Sequence, residues 1–225
     1  MAGTRPVLDD VSFSVATGEL VAIVGPSGSG KSALLRAVLG LLPFRPGLTS
    51  GRVLVDGSPA DPRDLRGRVL SKLAQDARGS LDPLSTVARS ITRAGGDPLP
   101  CLRRAGFEEP SFVATRYPHE LSGGMAQRVA LAVALAAGAP VLLCDEPTTG
   151  LDAPVQREIV HGLRGLREHA VVLVTHDLEL VDAACDRVYV LGDGRVVDEA
   201  ARPSALVGAG RPLWDATLAL RRRRA

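Results

Sequence analysis

The residues Gly25-Pro26-Ser27-Gly28-Ser29-Gly30-Lys31-Ser32 fit the pattern GxxxxGK[ST]. Glycines at these positions let the backbone turn its N–H groups inward around a phosphate, where a side chain would intrude. A helix that starts just after them points its N-terminus, and the partial positive charge there, at the same anion. Lys31 then reaches the β- and γ-phosphates, and the Ser32 hydroxyl is placed to ligate Mg²⁺. This is chemistry for a nucleoside triphosphate.

Two more groups complete the set. Asp145 and Glu146 follow the apolar run Val141–Cys144. Adjacent carboxylates at the C-terminal end of a buried strand lie where ligands bind in parallel-sheet folds. Side chains alternate along a strand, so the two divide the work. Asp145 binds Mg²⁺, directly or through water, and Glu146 polarises the water that attacks the γ-phosphate. Leu121-Ser122-Gly123-Gly124-Met125-Ala126-Gln127-Arg128 is a second glycine-rich helix start, with Ser122 as N-cap. A simple helix cap also accounts for this pattern. As an anion site without a lysine of its own, it points to the phosphate end of a nucleotide held by another copy.

The elements that must position these residues are legible as apolar runs. Glu19–Val24, Val141–Cys144 and Ala170–Val174 read as strands buried on both faces of a parallel sheet. Val53–Val55 and Val69–Leu73 read as shorter strands. Ala33–Leu42 is expected as a helix stopped by Pro43, Gly123–Ala137 as a helix, and Pro154–His169 as an amphipathic helix. In that last helix Val155, Ile159, Leu163 and Leu166 share one face, and Pro154 at its start has no backbone donor to lose. Arg187–Leu191 and Arg195–Asp198 flank Gly192-Asp193-Gly194 as a β-hairpin. Between Asp76 and His119 strand signals give way to short helical ones. Helices alternating with buried strands make the class α/β.

Composition sets limits. Of 225 residues 45% are apolar, enough for a sizeable core, and the net charge of +2 gives no bulk electrostatic case for nucleic acid. Lys occurs only at positions 31 and 72 in a chain otherwise rich in Arg, which marks Lys31 as chemically wanted. Cys101, Cys144 and Cys185 are scattered and read as reduced thiols of a cytosolic protein. No signal peptide or membrane-spanning run is visible. Transport across a membrane would require a pore supplied by another chain. Arg221–Arg224 reads as a solvated tail.

With these motifs in this order, the chain resembles the ABC ATPases over nearly its whole length. LSGGMAQR resembles the family's signature motif. Gln75 stands where a glutamine loop follows a strand, Thr149-Gly150-Leu151-Asp152 follows the two carboxylates, and His176 ends the next buried strand like the switch histidine. The resemblance implies a P-loop NTPase core with a mainly parallel sheet, an antiparallel β part and an inserted helical subdomain. The core is expected at about 1–76 and 130–225 and the helical subdomain at about 77–129. It further implies ATP and Mg²⁺ as ligands. Lys31, Gln75, Glu146 and His176 are then catalytic, and Ser32, Asp145 and Gln75 serve the metal. Gly25 to Ser32 bind the ATP phosphates, Leu121, Ser122, Gly123, Gly124 and Gln127 face the partner's nucleotide, and Asp152 communicates across a dimer. Expected partners are a second ABC ATPase subunit, identical or paralogous, transmembrane permease subunits and an extracytoplasmic solute-binding protein, with no nucleic acid. The place of work is the cytoplasmic face of the cell membrane.

Gln75-Asp76 with Gly79-Ser80-Leu81-Asp82-Pro83, Tyr117-Pro118-His119-Glu120 and Glu146-Pro147-Thr148-Thr149 resemble the dipeptide, oligopeptide and nickel importers. So does Gly210-Arg211-Pro212-Leu213, though the fuller C-terminal extension of many members is missing. This group implies import of a peptide or a nickel chelate. Three departures stand out. The family stacks an aromatic ring on adenine, whereas Arg5 and Pro6 stand there and no aromatic precedes Phe13. The family's first strand is expected to be shortened or absent. Ala126 replaces an Arg common in the subfamily. The missing ring favours a cassette with weak or no hydrolysis as one alternative reading, and Arg221–Arg224 favours a non-transport relative acting on nucleic acid as another.

Overall fold

The structure, a computed structural model, describes residues 6–42, 50–208 and 210–212. Arg5, Pro43, Leu213 and Arg221–Arg224, which the sequence reading singled out, lie outside the described residues.

In chain order the elements are β1 (Leu20–Val24), α1 (Lys31–Val38), β2 (Val53–Val55), β3 (Ser58–Ala60), α2 (Pro62–Leu65), β4 (Leu70–Leu73), α3 (Ala77–Ser80), α4 (Val87–Arg93), α5 (Pro98–Arg104), α6 (Pro110–Ala114), α7 (Gly123–Ala136), β5 (Val141–Asp145), α8 (Ala153–Arg164), β6 (Ala170–Val174), α9 (Leu178–Ala184), β7 (Arg187–Gly192) and β8 (Arg195–Ala200). The main sheet has the order β4-β5-β6-β1-β7-β8. All its neighbours run parallel except the β7–β8 hairpin, and β2 pairs with β3 in a separate antiparallel ribbon. This is the α/β P-loop NTPase architecture, with its antiparallel part.

Strand alternation divides the apolar residues between two faces. Leu20, Ala22 and Val24 of β1 join Leu142 and Cys144 of β5 in one core cluster, with the inner sides of α7, α8 and α9. Val21 and Ile23 join Leu143, Val172 and Val174 in the other, where Leu34 and Leu35 of α1 pack. Buried Ile91, Leu102, Val113 and Leu121 of the helical region belong to the first cluster, so those helices are continuous with one sheet face. Helix α7 itself runs unbroken past residue 129.

Two helices are shorter than their apolar runs. Helix α1 begins at Lys31 and ends at Val38, not at Leu42. Gly40, at φ 63°, gives its N–H to Ala37 O at 3.0 Å, and Leu41 gives its own to Arg36 O at 2.8 Å. That six-to-one closure is the Schellman stop. Helix α8 ends at Arg164, where the Gly165 N–H reaches both His161 O and Gly162 O at 3.1 Å, so the segment through His169 is not helical. Residues 6–19 form no strand. Val11, Phe13 and Val15 pack on the α1 side of the sheet, and the Phe13 ring meets Tyr189 edge-on at 6.2 Å.

The parallel register brings the C-terminal ends of β4, β5, β6 and β1 to one edge. Leu73 pairs with Cys144, Asp145 with Val174, and Val174 with Ile23. Gln75, Glu146, His176 and Gly25 therefore leave the sheet together.

Candidate nucleotide site

The loop after β1 is built around its glycines. Gly25 has φ 154°, and a Cβ there would stand 2.1 Å from the Leu191 carbonyl oxygen. Gly28 and Gly30 have φ 81° and 102°, backbone that only glycine adopts without strain. Gly30 is the N-cap of α1 and supplies no side-chain cap, so the first N–H groups of the helix stay available. The ammonium of Lys31, in the first turn, donates to Gly25 O at 2.9 Å and to Pro26 O at 3.0 Å. It is only 7% exposed. Burial pushes its pKa down, while the carboxylates of Glu146 and Asp145 push the other way. The Ser29 hydroxyl is buried in the same loop without a partner.

Asp145 ends β5 on the face that meets α1. Its Oδ1 accepts the Ser32 hydroxyl at 2.9 Å, and its Oδ2 lies 3.4 Å from Lys72 Nζ. The next residue, Glu146, turns off the strand with φ 47°, a left-handed conformation costly for a residue with a Cβ. Its N–H still bonds Val174 O at 2.9 Å, and Oε2 accepts the Thr149 hydroxyl at 3.0 Å. His176 Nδ1 is 3.5 Å from that same oxygen, with its imidazole largely exposed. Gln75, exposed, follows β4 at the same edge. Hydroxyl, carboxylate and carboxamide oxygens make a hard donor set of the kind Mg²⁺ takes.

The second glycine-rich start lies at α7. Ser122 Oγ accepts the Met125 N–H at 3.2 Å, and Ser122 and Gly123 are exposed. Gly124 has a packing reason as well: a Cβ there would stand 2.7 Å from Val155 Cγ1. Leu121 and Gln127 are buried within this chain, at 2% and 4% exposure. Gln127 Nε2 donates to Ala74 O at 3.5 Å, and the Arg78 guanidinium donates to Leu121 O. Both tie the segment around Gln75 to the start of α7. Asp152 is exposed and caps α8 through the Val155 N–H at 3.3 Å.

Sequence reasoning missed Lys72 and Thr149. The scarcity of lysine flagged Lys31 but applies equally to Lys72. Thr149 lies within a motif whose pattern does not disclose its hydroxyl's contact with Glu146. The thiols of Cys101, Cys144 and Cys185 are free and buried, and burial raises the pKa of each, that of Cys185 to about 12.

Residues 8–149 match the profile of the family described as ABC transporter. The nickel import ATP-binding protein NikD of Brucella suis is 38% identical over 212 residues, covering 87% of this chain and 80% of the relative. The oligopeptide transport ATP-binding protein AppD of Bacillus subtilis is 35% identical over 222 residues, 87% of this chain and 66% of its own length. Among solved structures, a dimeric ATP-binding cassette in a post-hydrolysis state with ADP and Pi superposes with a TM-score of 0.71 at 32% identity, covering 87% of this chain and 90% of that one.

Proposed function

The chain belongs to the ABC transporter family of ATP-hydrolysing cassettes, and from that premise we propose that it drives a solute importer whose pore is formed by separate permease chains. No helix among the described residues is long and apolar enough to cross a membrane. The observation that carries the reading is the meeting, at one sheet edge, of Lys31 and Ser32 with Asp145, Glu146 and His176.

Gly25 to Ser32 wrap the β- and γ-phosphates of ATP, and Lys31 exchanges the carbonyls of Gly25 and Pro26 for phosphate oxygens. Ser32, Asp145 and Gln75 would hold Mg²⁺, which when bound offsets charge on the phosphate oxygens. Glu146 takes a proton from the water that attacks the γ-phosphorus, and the bond to the β–γ bridging oxygen breaks to leave ADP and phosphate. His176 holds Glu146 in place and contacts the γ-phosphate.

Ser122, Gly123 and Gly124 face the nucleotide of a second cassette, identical or paralogous, and the head-to-tail dimer closes on ATP and opens after hydrolysis. The dimeric state of the solved cassette supports this. Arg78 and Gln127 couple Gln75 to that interface. A hollow of about 600 Å³ beside the helical region, lined by Leu84, Arg116, Tyr117 and His119, offers an exposed leucine and a ring to a permease. The protein then works at the cytoplasmic face of the membrane, fed by a solute-binding protein. Its relatives' names support a peptide or a nickel chelate as the solute.

The test is phosphate release from ATP and Mg²⁺ by the cassette assembled with its permeases in vesicles, together with solute uptake. Uptake that requires hydrolysis is expected. ATP binding without phosphate release would overturn the reading in favour of a non-hydrolysing cassette.

A further inference from the structure

The chain's only two lysines both lie beside Asp145. The carboxylate's field reaches Lys31, and Lys72 touches it directly. Lys72 sits on β4 opposite Leu143 of β5. Alternation carries its side chain to the face that Asp145 occupies, two residues beyond Leu143. The ammonium lies 3.4 Å from Oδ2, with 29% of the lysine side chain and 9% of the aspartate side chain exposed.

A carboxylate this buried needs a counter-charge. Lys31 is engaged by the carbonyls of its own loop, so Lys72 is the cation in contact with Asp145. Ser32 meanwhile holds Oδ1 at 2.9 Å. Each oxygen of the proposed metal ligand thus has a partner before any cation arrives. Lys31 and Lys72 also balance Asp145 and Glu146 in charge, which removes the excess negative charge a divalent cation would seek.

We propose that Lys72 is a positioning residue for the metal end of the site. Its ammonium holds Asp145 in place without metal and competes with the divalent cation, so that Mg²⁺ is taken up only together with the phosphates of the nucleotide. This inference rests on the proposed role of Asp145.

The test is equilibrium binding of a fluorescent, non-hydrolysable ATP analogue to the full chain across a Mg²⁺ titration, for wild type, Lys72→Met, Lys72→Arg and Asp145→Asn. Removing an ion pair of this kind should lower the Mg²⁺ midpoint on the order of two- to fivefold in Lys72→Met. Lys72→Arg should keep the wild-type midpoint. Mg²⁺ alone should raise the melting temperature of Lys72→Met but not of wild type. If Lys72→Met does not fold, Lys72→Gln replaces it. A wild-type midpoint in the neutral variant, or an equal shift in Lys72→Arg, overturns the inference. Analogue binding that ignores Mg²⁺ in wild type, or a Mg²⁺ dependence that survives in Asp145→Asn, overturns instead the reading of Asp145 on which it rests.

Discussion

His176 Nδ1 stands 3.5 Å from Oε2 of Glu146, across the gap between the ends of two neighbouring parallel strands. The same oxygen accepts the Thr149 hydroxyl at 3.0 Å. The carboxylate is thereby held from two sides through one of its oxygens.

Glu146→Gln keeps the shape and the Thr149 contact but cannot take a proton. Turnover should fall by on the order of 10²–10⁴, the contribution of a positioned base. Analogue binding should stay near wild type. Single-turnover phosphate release measures the first and equilibrium titration the second. A variant that hydrolyses at the wild-type rate would remove Glu146 from the base role.

Lys31→Ala acts on binding. The charge-assisted contacts to phosphate are lost, and ATP affinity should drop about 10- to 100-fold. Isothermal titration with the non-hydrolysable analogue reads this directly. Unchanged affinity would mean that the loop does not cradle phosphate.

How much of this could be read from the sequence depends on how far each residue's meaning reaches along the chain. Leu20–Val24, Val141–Cys144 and Ala170–Val174 were legible because strands buried on both faces are unbroken apolar runs. Lys31 and Ser32 were marked by the GxxxxGK[ST] pattern, Asp145 and Glu146 by the end of a buried strand, and His176 by the resemblance to the ABC ATPases. Helix stops were harder. Gly40 and Gly165 sit inside runs that continue to look helical, and the stop lies in a backbone turn rather than a change of composition. Leu121 and Gln127 belong to a motif, but membership does not say which way a side chain points. Scarcity could have flagged Lys72, but its contact with Asp145 was not legible, because it exists only once β4 lies beside β5, more than seventy residues away in sequence.

Glu146, the proposed base, also carries backbone strain. At φ 47° a Cβ is disfavoured, and glycine is not. Glu146→Gly should therefore be more stable than Glu146→Ala by about 1 kcal/mol, or roughly 2–4 °C in melting temperature for a domain of this size. Both lack the base and should be inactive. Thermal melts of the two variants decide it: equal stabilities would mean that the turn relaxes when the carboxylate is removed.

The Leu81-Asp82-Pro83 segment, read as a subfamily mark, has a local structural task. Asp82 Oδ2 accepts the Ser85 hydroxyl at 2.7 Å and an Arg93 N–H at 3.0 Å, and Oδ1 accepts the Leu84 N–H at 3.0 Å. The Ser85 bond, then the Leu84 and Arg93 bonds, hold the Asp82 carboxyl down at about 2. A carboxyl more acidic in the folded chain than in the unfolded one stabilises the fold above the unfolded value, about 4, and loses that contribution as pH falls towards the folded value. Asp82→Ala should therefore melt below wild type at neutral pH, and the gap should narrow as pH is lowered from 5 towards 2. Melting curves of the two proteins across that range measure it. A gap that stays constant with pH would assign the effect to the shape of the turn and not to the charge of Asp82.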